Sequence, residues 1–176
     1  MPANADIAVG FDALVDVLRS NGWRYLAAAN TGAAAFPAHV TSSVRAFSSS
    51  FDQLSNTDET CWFLSHLDYA SQSDSAFAWN EFELNETTWA ITPEQRQAVH
   101  AFWQRFLPLA ISVKDDHQFI AMGIAADNAG QFFLGETAEP DELVQLADNL
   151  DEFVACVTQA LRDQHPRALA RFLSGT

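Results

Sequence analysis

His66 and Asp68 are the residues whose types and spacing come closest to a chemical site. They lie two apart in the segment Cys61–Tyr69, which predicts an interior strand whose far end reaches solvent. Residues two apart on a strand share a face, so this pair could join a distant carboxylate in a metal or acid–base site. The alternative is a histidine at a sheet end beside an exposed aspartate. A two-residue H-x-D pattern is too common by chance to predict an enzyme.

No stronger catalytic or cofactor motif occurs in the chain. The strings HExxH, CxxC, GxSxG, GxxxxGK and GxGxxG are all absent. His100 falls on a predicted helix and His117 in a predicted turn, neither with a patterned partner. The sequence therefore predicts no catalytic residue, no metal ligand and no cofactor.

Charge is the strongest compositional signal. The chain has 9 Lys and Arg against 23 Asp and Glu, a formal net charge of −14. No Lys or Arg occurs between Arg45 and Arg96, or between Lys114 and Arg162. This charge disfavours nucleic acid as a partner, because phosphate binding needs basic side chains. An acidic surface serves solubility, or else it speeds encounter with a basic protein, and composition does not separate the two.

The first acid-only stretch also carries aromatic residues. Acids mixed with large apolar side chains favour a protein interface, in which apolar anchors are surrounded by a polar rim. We therefore predict a partner-binding surface that combines acids with aromatic anchors. Its members are Asp52, Asp58, Glu59, Asp68, Asp74, Phe77, Trp79, Glu81, Phe82, Glu83 and Glu86.

The elements that position these residues are clearest in the C-terminal half. Leu107–Val113, Phe119–Ala125 and Gln131–Leu134 are short apolar runs separated by turn residues, and they predict three strands joined by tight turns. The first turn, Lys114–His117, could alternatively be an acidic contact loop. Before these strands, Thr92, Pro93 and Gln95 predict the start of a helix that ends at Pro108.

Helices are predicted at both ends of the chain. Asp6–Ser20 has an apolar stripe at helical spacing, and a long amphipathic helix is predicted from Leu143 to Leu161, after an acid-rich start. His165-Pro166 ends it, and a short helix follows at 166–173. The pattern predicts an α+β domain: an antiparallel central sheet with helices packed around it, including N- and C-terminal helices.

Three segments are less regular. Trp23–Asn30 could form a short helix, and Ala33–Thr60 is predicted to be a long, mobile connection with one weak helix near Val40–Phe47. Residues 76–84 fit either a bulged strand or a helical turn. The whole chain, 1–176, is expected to form one domain.

Cys61 and Cys156 lie in apolar stretches and are expected to be buried, reduced thiols. Neither an export signal nor an apolar run of membrane-spanning length is visible. We therefore expect a soluble protein of the cytoplasm that does not enter a membrane.

From Thr92 onward the sequence resembles the SUKH superfamily. The resemblance is carried by AVHAFWQRF leading into LPLAISVKDDHQFIAMGI, then GQFFLGE, then DELVQLADNLDEFVACV, in which Phe153 matches an aromatic position of the closing helix. It covers about seventy residues, while Tyr25-Leu26 and Asn30-Thr31-Gly32 echo the family's N-terminal part only loosely. The resemblance implies an α+β binding protein without chemistry, commonly an immunity protein that neutralises a toxin such as a nuclease.

Three functional hypotheses follow. The first is an immunity-type module that binds a basic toxin domain through its acidic surface. The second is a regulatory or scaffold protein of the same fold that binds a cellular enzyme. The third is a small hydrolase or metal enzyme that uses His66 and Asp68.

Overall fold

A computed structural model describes residues 3–29, 36–72, 78–114 and 117–174, with side chains from Gly10 onward. Within these residues the strands are β1 (Arg24–Ala27), β2 (Phe51–Ser55), β3 (Cys61–Phe63), β4 (Phe106–Ser112), β5 (Gln118–Gly123), β6 (Phe132–Gly135) and β7 (Val144–Ala147). The helices are α1 (Ala3–Ser20), α2 (Ser42–Ser48), α3 (His66–Tyr69), α4 (Glu81–Trp89), α5 (Pro93–Trp103), α6 (Leu150–Asp163) and α7 (Arg167–Ser174). A 3-10 turn spans Pro140–Glu142. The predicted α+β fold with an antiparallel sheet is confirmed.

The seven strands form one sheet in chain order, and every neighbouring pair is antiparallel. The three predicted central strands are confirmed as β4, β5 and β6. All seven residues of β4 are buried, as expected for the middle of a sheet covered on both faces. Its register with β5 shifts between Pro108 and Ala110, which suits a proline that has no N–H to donate.

The turn between β5 and β6 is fixed by Asn128 and two glycines. The Asn128 side chain accepts a hydrogen bond from the Ala125 N–H (2.9 Å) and donates one to the Arg105 carbonyl (3.3 Å). Gly130 has a φ of +83°, which glycine adopts without strain. A Cβ on Gly123 would lie 2.2 Å from the Asn128 carbonyl oxygen, so only glycine fits there. The predicted turn is thus built by local side-chain chemistry.

Helices cover both faces of the sheet. On one face Phe153 of α6 stacks on Phe132 at 4.3 Å between ring centroids, and Phe47 of α2 contacts Phe63 and Phe11 of α1. Side chains alternate along a strand, so Phe119 faces the other way from its neighbour Ile120. That second face carries α4 and α5. The core is therefore two apolar layers, one on each side of the sheet.

Phe119 is the centre of the second layer. Its ring lies 4.9 Å from the ring of Phe82 on α4 and 5.0 Å from that of Trp103 on α5, measured between centroids. A Cβ on Gly135, opposite Phe119 in β6, would lie 2.7 Å from the Phe119 ring. Glycine at position 135 therefore leaves the space that the Phe119 ring occupies.

The helix start at Thr92 is confirmed in detail. The Thr92 hydroxyl accepts from the Gln95 N–H (3.2 Å), and the Gln95 side chain accepts from the Thr92 N–H (3.0 Å). Pro93 occupies the first helical position. The N-terminal helix and the short C-terminal helix are confirmed as α1 and α7.

Several local predictions are wrong, and long-range pairing explains each. Trp23–Asn30 contains a strand instead of a helix, because β1 pairs with β2, and the Tyr25 hydroxyl donates to the Ser50 carbonyl (3.0 Å). β2 itself lies in the predicted connection 33–60, of which residues 33–35 fall outside the described part. The weak helix predicted near Val40–Phe47 is present as α2.

The segment after Gly135 also differs from the prediction. The apolar spacing from Leu143 onward predicts one long helix, but residues 144–147 pair with β6 as β7. Asn149 then caps α6, its side chain accepting from the Glu152 N–H (3.0 Å). Apolar residues spaced three and four apart favour a helix, but here the unpaired edge of β6 overrides that preference.

The two cysteines are unpaired, Cys61 buried and Cys156 half-buried. Burial raises the pKa of both thiols, so neither is activated as a nucleophile by its surroundings. No helix among the described residues combines the length and the apolar character that crossing a membrane requires.

Phe119→Ala tests the aromatic layer. The ring is fully buried and contacts both α4 and α5, so its loss should lower the free energy of unfolding by about 3–5 kcal/mol. Leu26→Ala, at a side chain 57% exposed on β1, is the control and should change it by less than about 0.5 kcal/mol. Urea titration measures both. A loss below about 1 kcal/mol for Phe119→Ala would show that this layer does not hold the hairpin of α4 and α5.

Candidate functional site

The structure divides the predicted partner-binding residues among separate places. Asp52 lies on β2, and Asp58 and Glu59 lie in the exposed turn between β2 and β3, where Glu59 forms an ion pair with Arg24. Glu81, Glu83 and Glu86 lie on α4, which packs over β5. Two strands separate β2 from β5 in the sheet, so the predicted set is not one surface. Asp74 and Phe77 lie outside the described residues.

Two of the predicted contact residues belong to the core. Phe82 is only 6% exposed because it packs against Phe119 and Trp103. Asp68 is 8% exposed, and its carboxylate accepts from the Ser65 N–H (2.7 Å) and the Ser65 hydroxyl (2.8 Å). Trp79 is half-buried against Tyr69 and His39. The structure therefore shows neither Phe82 nor Trp79 as an exposed anchor and does not place Asp68 among the exposed acids.

The predicted His66–Asp68 pair does not form the expected constellation. The strand ends at Phe63, and both residues lie on α3, whose first turn Ser65 and Asp68 cap through a capping box. Asp68 is therefore occupied by backbone capping. His66 instead lies near Asp52, with 3.7 Å between Nε2 and Oδ1. Within residues 3–29, 36–72, 78–114 and 117–174, no three His, Cys, Asp or Glu side chains are grouped so as to hold a metal ion.

Glu86 joins two acidic segments that are far apart in the chain. One oxygen of its carboxylate accepts from the Ala138 N–H (2.5 Å), in the connection between β6 and β7, and the other accepts from the Trp103 indole N–H (3.3 Å). Burial raises the pKa of the Glu86 carboxyl. The two hydrogen bonds oppose this rise, and nearby Glu139 adds to it. Glu86 thus holds α4 against the β6–β7 connection.

The Glu86 contact therefore forms an acidic surface with residues from both stretches that lack Lys and Arg, 46–95 and 115–161. We define the acidic face as the carboxylates of α4 and of the part of the β6–β7 connection that contacts Glu86: Glu81, Glu83, Glu86 and Glu139. Neither segment contains a Lys or Arg. All four side chains are exposed or half-exposed, so their charges act on approaching molecules.

Within the described part of the chain, one of these carboxylates lies beside a basic side chain. His100 on α5 lies 2.8 Å from the Glu83 carboxylate, measured from Nδ1 to Oε1. Glu136 and Glu142 lie outside this face and accept from the neutral side chains of Gln118 and Thr137, each at 2.6 Å. A neutral hydrogen-bond donor orients a carboxylate but does not neutralise its charge. An open groove of about 300 Å³, lined by Glu136, Glu142 and Ala168 of α7 among others, is separate from this face, since no α4 residue lines it.

Large apolar side chains are exposed beside this face. Trp89, the last residue of α4, is 81% exposed, and Ile91, in the turn to α5, is 85% exposed. Leu84, on the outward side of α4, is 50% exposed. Exposed tryptophan is typical of the anchors of protein interfaces. The sequence patterns do not predict Trp89 or Ile91 as contact residues. The available signal was two large apolar residues immediately before the Thr92 helix start, where no core position was expected.

Comparison with known proteins gives no relative: no family model, no curated protein and no solved structure matches this chain. The site must therefore be interpreted from its own geometry.

Glu86→Gln tests the burial of the joining carboxylate. Because the pKa of Glu86 is higher in the folded chain than in the unfolded one, the folded protein binds this proton more tightly. The free energy of unfolding of the wild type, relative to the variant, should therefore fall as the pH rises from the unfolded pKa through the folded one, and then level off. Urea titrations between about pH 4 and about pH 8 measure this difference. A difference that rises over that range would contradict the assigned direction.

Proposed function

We propose that this protein is a non-enzymatic binding module that neutralises a basic toxin domain, such as a nuclease. The observation that carries the proposal is the acidic face, in which α4 and the β6–β7 connection, neither with any Lys or Arg, meet at Glu86 and present four carboxylates. The chain would act in the cytoplasm, a reducing compartment that suits its two unpaired cysteines.

Electrostatics explains why such a face would suit a nuclease inhibitor. A nuclease holds phosphates through basic side chains, so its active site is a region of positive potential. An acidic face that occupies this region both blocks the substrate and accelerates association, because the opposite charges steer the encounter. The net charge of −14 adds a long-range attraction to the local one.

The resemblance of residues 92 onward to the SUKH superfamily supports the same function, since immunity proteins are common in that family. The competing hypothesis is a regulatory protein that binds a cellular enzyme. Both would use a protein-binding surface, but only the first protects a cell from a toxin.

Co-expression tests the immunity function. A toxin domain encoded beside this gene should stop growth when expressed alone and lose its effect when this chain is expressed with it. Purified together, the two should form a complex. If the chain binds a basic cellular enzyme and gives no protection, the regulatory hypothesis replaces the first one. If it binds no basic protein, both fail.

A pair of matched charge variants tests the role of the acidic face. Glu81→Gln with Glu139→Gln removes two charges from the face, whereas Asp12→Asn with Asp16→Asn removes two from exposed positions on α1. We expect the first pair to slow association with the basic partner by about 3- to 10-fold at low salt, and the second by less than about 2-fold.

Stopped-flow or surface-based kinetics at about 50 mM and about 500 mM salt measure both effects, since salt screens charges over about one Debye length. The difference between the pairs should shrink at the higher concentration. Equal slowing by both pairs would show that net charge matters and the acidic face does not.

A further inference from the structure

The turn between α4 and α5 exposes two large apolar side chains that the fold does not use. Trp89 and Ile91 are the most exposed large apolar residues in the described part of the chain, at 81% and 85%. We call these two side chains the apolar tip. Ala90 between them is extended, with ψ of 117°, and side chains on either side of an extended residue project in the same general direction. The tip is therefore a single apolar projection.

The backbone of this turn is held by side chains on α5. The Gln95 side-chain oxygen accepts from the Ile91 N–H (2.8 Å) and from the Thr92 N–H (3.0 Å). The Arg96 Nε donates to the Ala90 carbonyl (3.2 Å). A tip held in place before binding loses little conformational freedom on binding, which favours affinity.

Two carboxylates and one guanidinium flank the tip: Glu86 precedes it on α4, Glu94 follows it in the first turn of α5, and Arg96 contacts the Ala90 carbonyl. The backbone N–H of Glu94 and the Thr92 hydroxyl hold the pKa of the Glu94 carboxyl below its ordinary value. The acidic face adjoins the tip through α4. Any molecule that covers Trp89 and Ile91 must therefore also accept negative charge.

This charge discriminates among the possible occupants. A second copy of the chain would bring two acidic faces together, each on a molecule of net charge −14, and like charges placed opposite one another oppose association. A membrane of anionic lipid is disfavoured for the same reason. A basic protein with an apolar pocket satisfies both the charge and the exposed apolar area.

We propose that the apolar tip is the anchor of the partner complex: Trp89 and Ile91 insert into an apolar pocket on the basic protein, while the acidic face contacts the basic surface around that pocket. This inference rests on the proposed function and names the surface through which it would operate. In the proposed complex the acidic face increases the association rate constant, and the apolar tip decreases the dissociation rate constant.

In-cell cross-linking identifies the occupant directly. A photoreactive p-benzoyl-phenylalanine replaces Trp89 in one full-length variant and Leu26 in another. Leu26 is a matched control, since it is 57% exposed on β1, at the opposite end of the sheet order from β5, β6 and β7. The variant at position 89 should cross-link to a basic protein and the variant at position 26 should not. Cross-linking of position 89 to a second copy or to lipid, equal cross-linking from both positions, or none at all would overturn the proposal.

Affinity then separates this inference from the function on which it rests. The probe is the purified basic protein recovered by cross-linking. Trp89→Ala with Ile91→Ala should weaken its binding at least 30-fold, mainly through faster dissociation, with the salt dependence of association unchanged. Leu26→Ala should change it less than 2-fold.

Unchanged affinity of the Trp89→Ala, Ile91→Ala double variant, with association still slowed by salt, would overturn the anchor and leave the proposed function standing. Because both side chains are exposed, the double variant should unfold at the wild-type urea concentration. Weaker binding that comes with a lower urea midpoint would count against the anchor, since it would assign the loss to folding.

Discussion

The contact of Phe82 and Trp103 with Phe119 is the constraint on which the rest of the structure depends. It attaches the hairpin of α4 and α5 to the sheet through three aromatic rings, and Gly135 leaves the room that the Phe119 ring needs. With Phe82 buried, the opposite side of α4 must face solvent, and Leu84 lies there. The Glu86 hydrogen bonds to Trp103 and Ala138 then bring the β6–β7 connection alongside. Packing in the core thus determines which charges share a surface.

Some features of this surface are unfavourable for the stability of the folded chain. Carboxylates brought close together repel one another, and burial disfavours the charged form of Glu86, which is the reason its pKa is raised. Exposed Trp89 and Ile91 add apolar area that burial would favour. Stability alone explains none of these features, whereas a basic protein that covered the surface would relieve all of them. The physical basis of the proposed function is that a basic partner would both neutralise these carboxylates and bury this exposed apolar area.

The sequence predicts the parts of the fold that are encoded locally. The strands β4 to β6 and the capping box at Thr92 follow from short patterns and turn residues, and the structure contains them. The sequence predicts helix where β1 and β7 lie, for β7 because its apolar residues fit the helical period. Only pairing with β2 and β6 makes these segments strands. The sequence predicts a surface that combines acids with large apolar side chains, but it does not predict which residues form that surface. Alternation along 76–84 could not place Phe82 in the core, and no local pattern joins α4 to residues 136–142.

Hydrogen–deuterium exchange of the chain, free and bound to its basic partner, tests the central claim most directly. The account predicts slower amide exchange on binding in residues 84–96 and 136–142, with residues 24–29 of the β1 edge unchanged. Protection confined to the β1 edge, or to the turn that contains Asp58 and Glu59, would contradict it, because the partner would then bind a different surface.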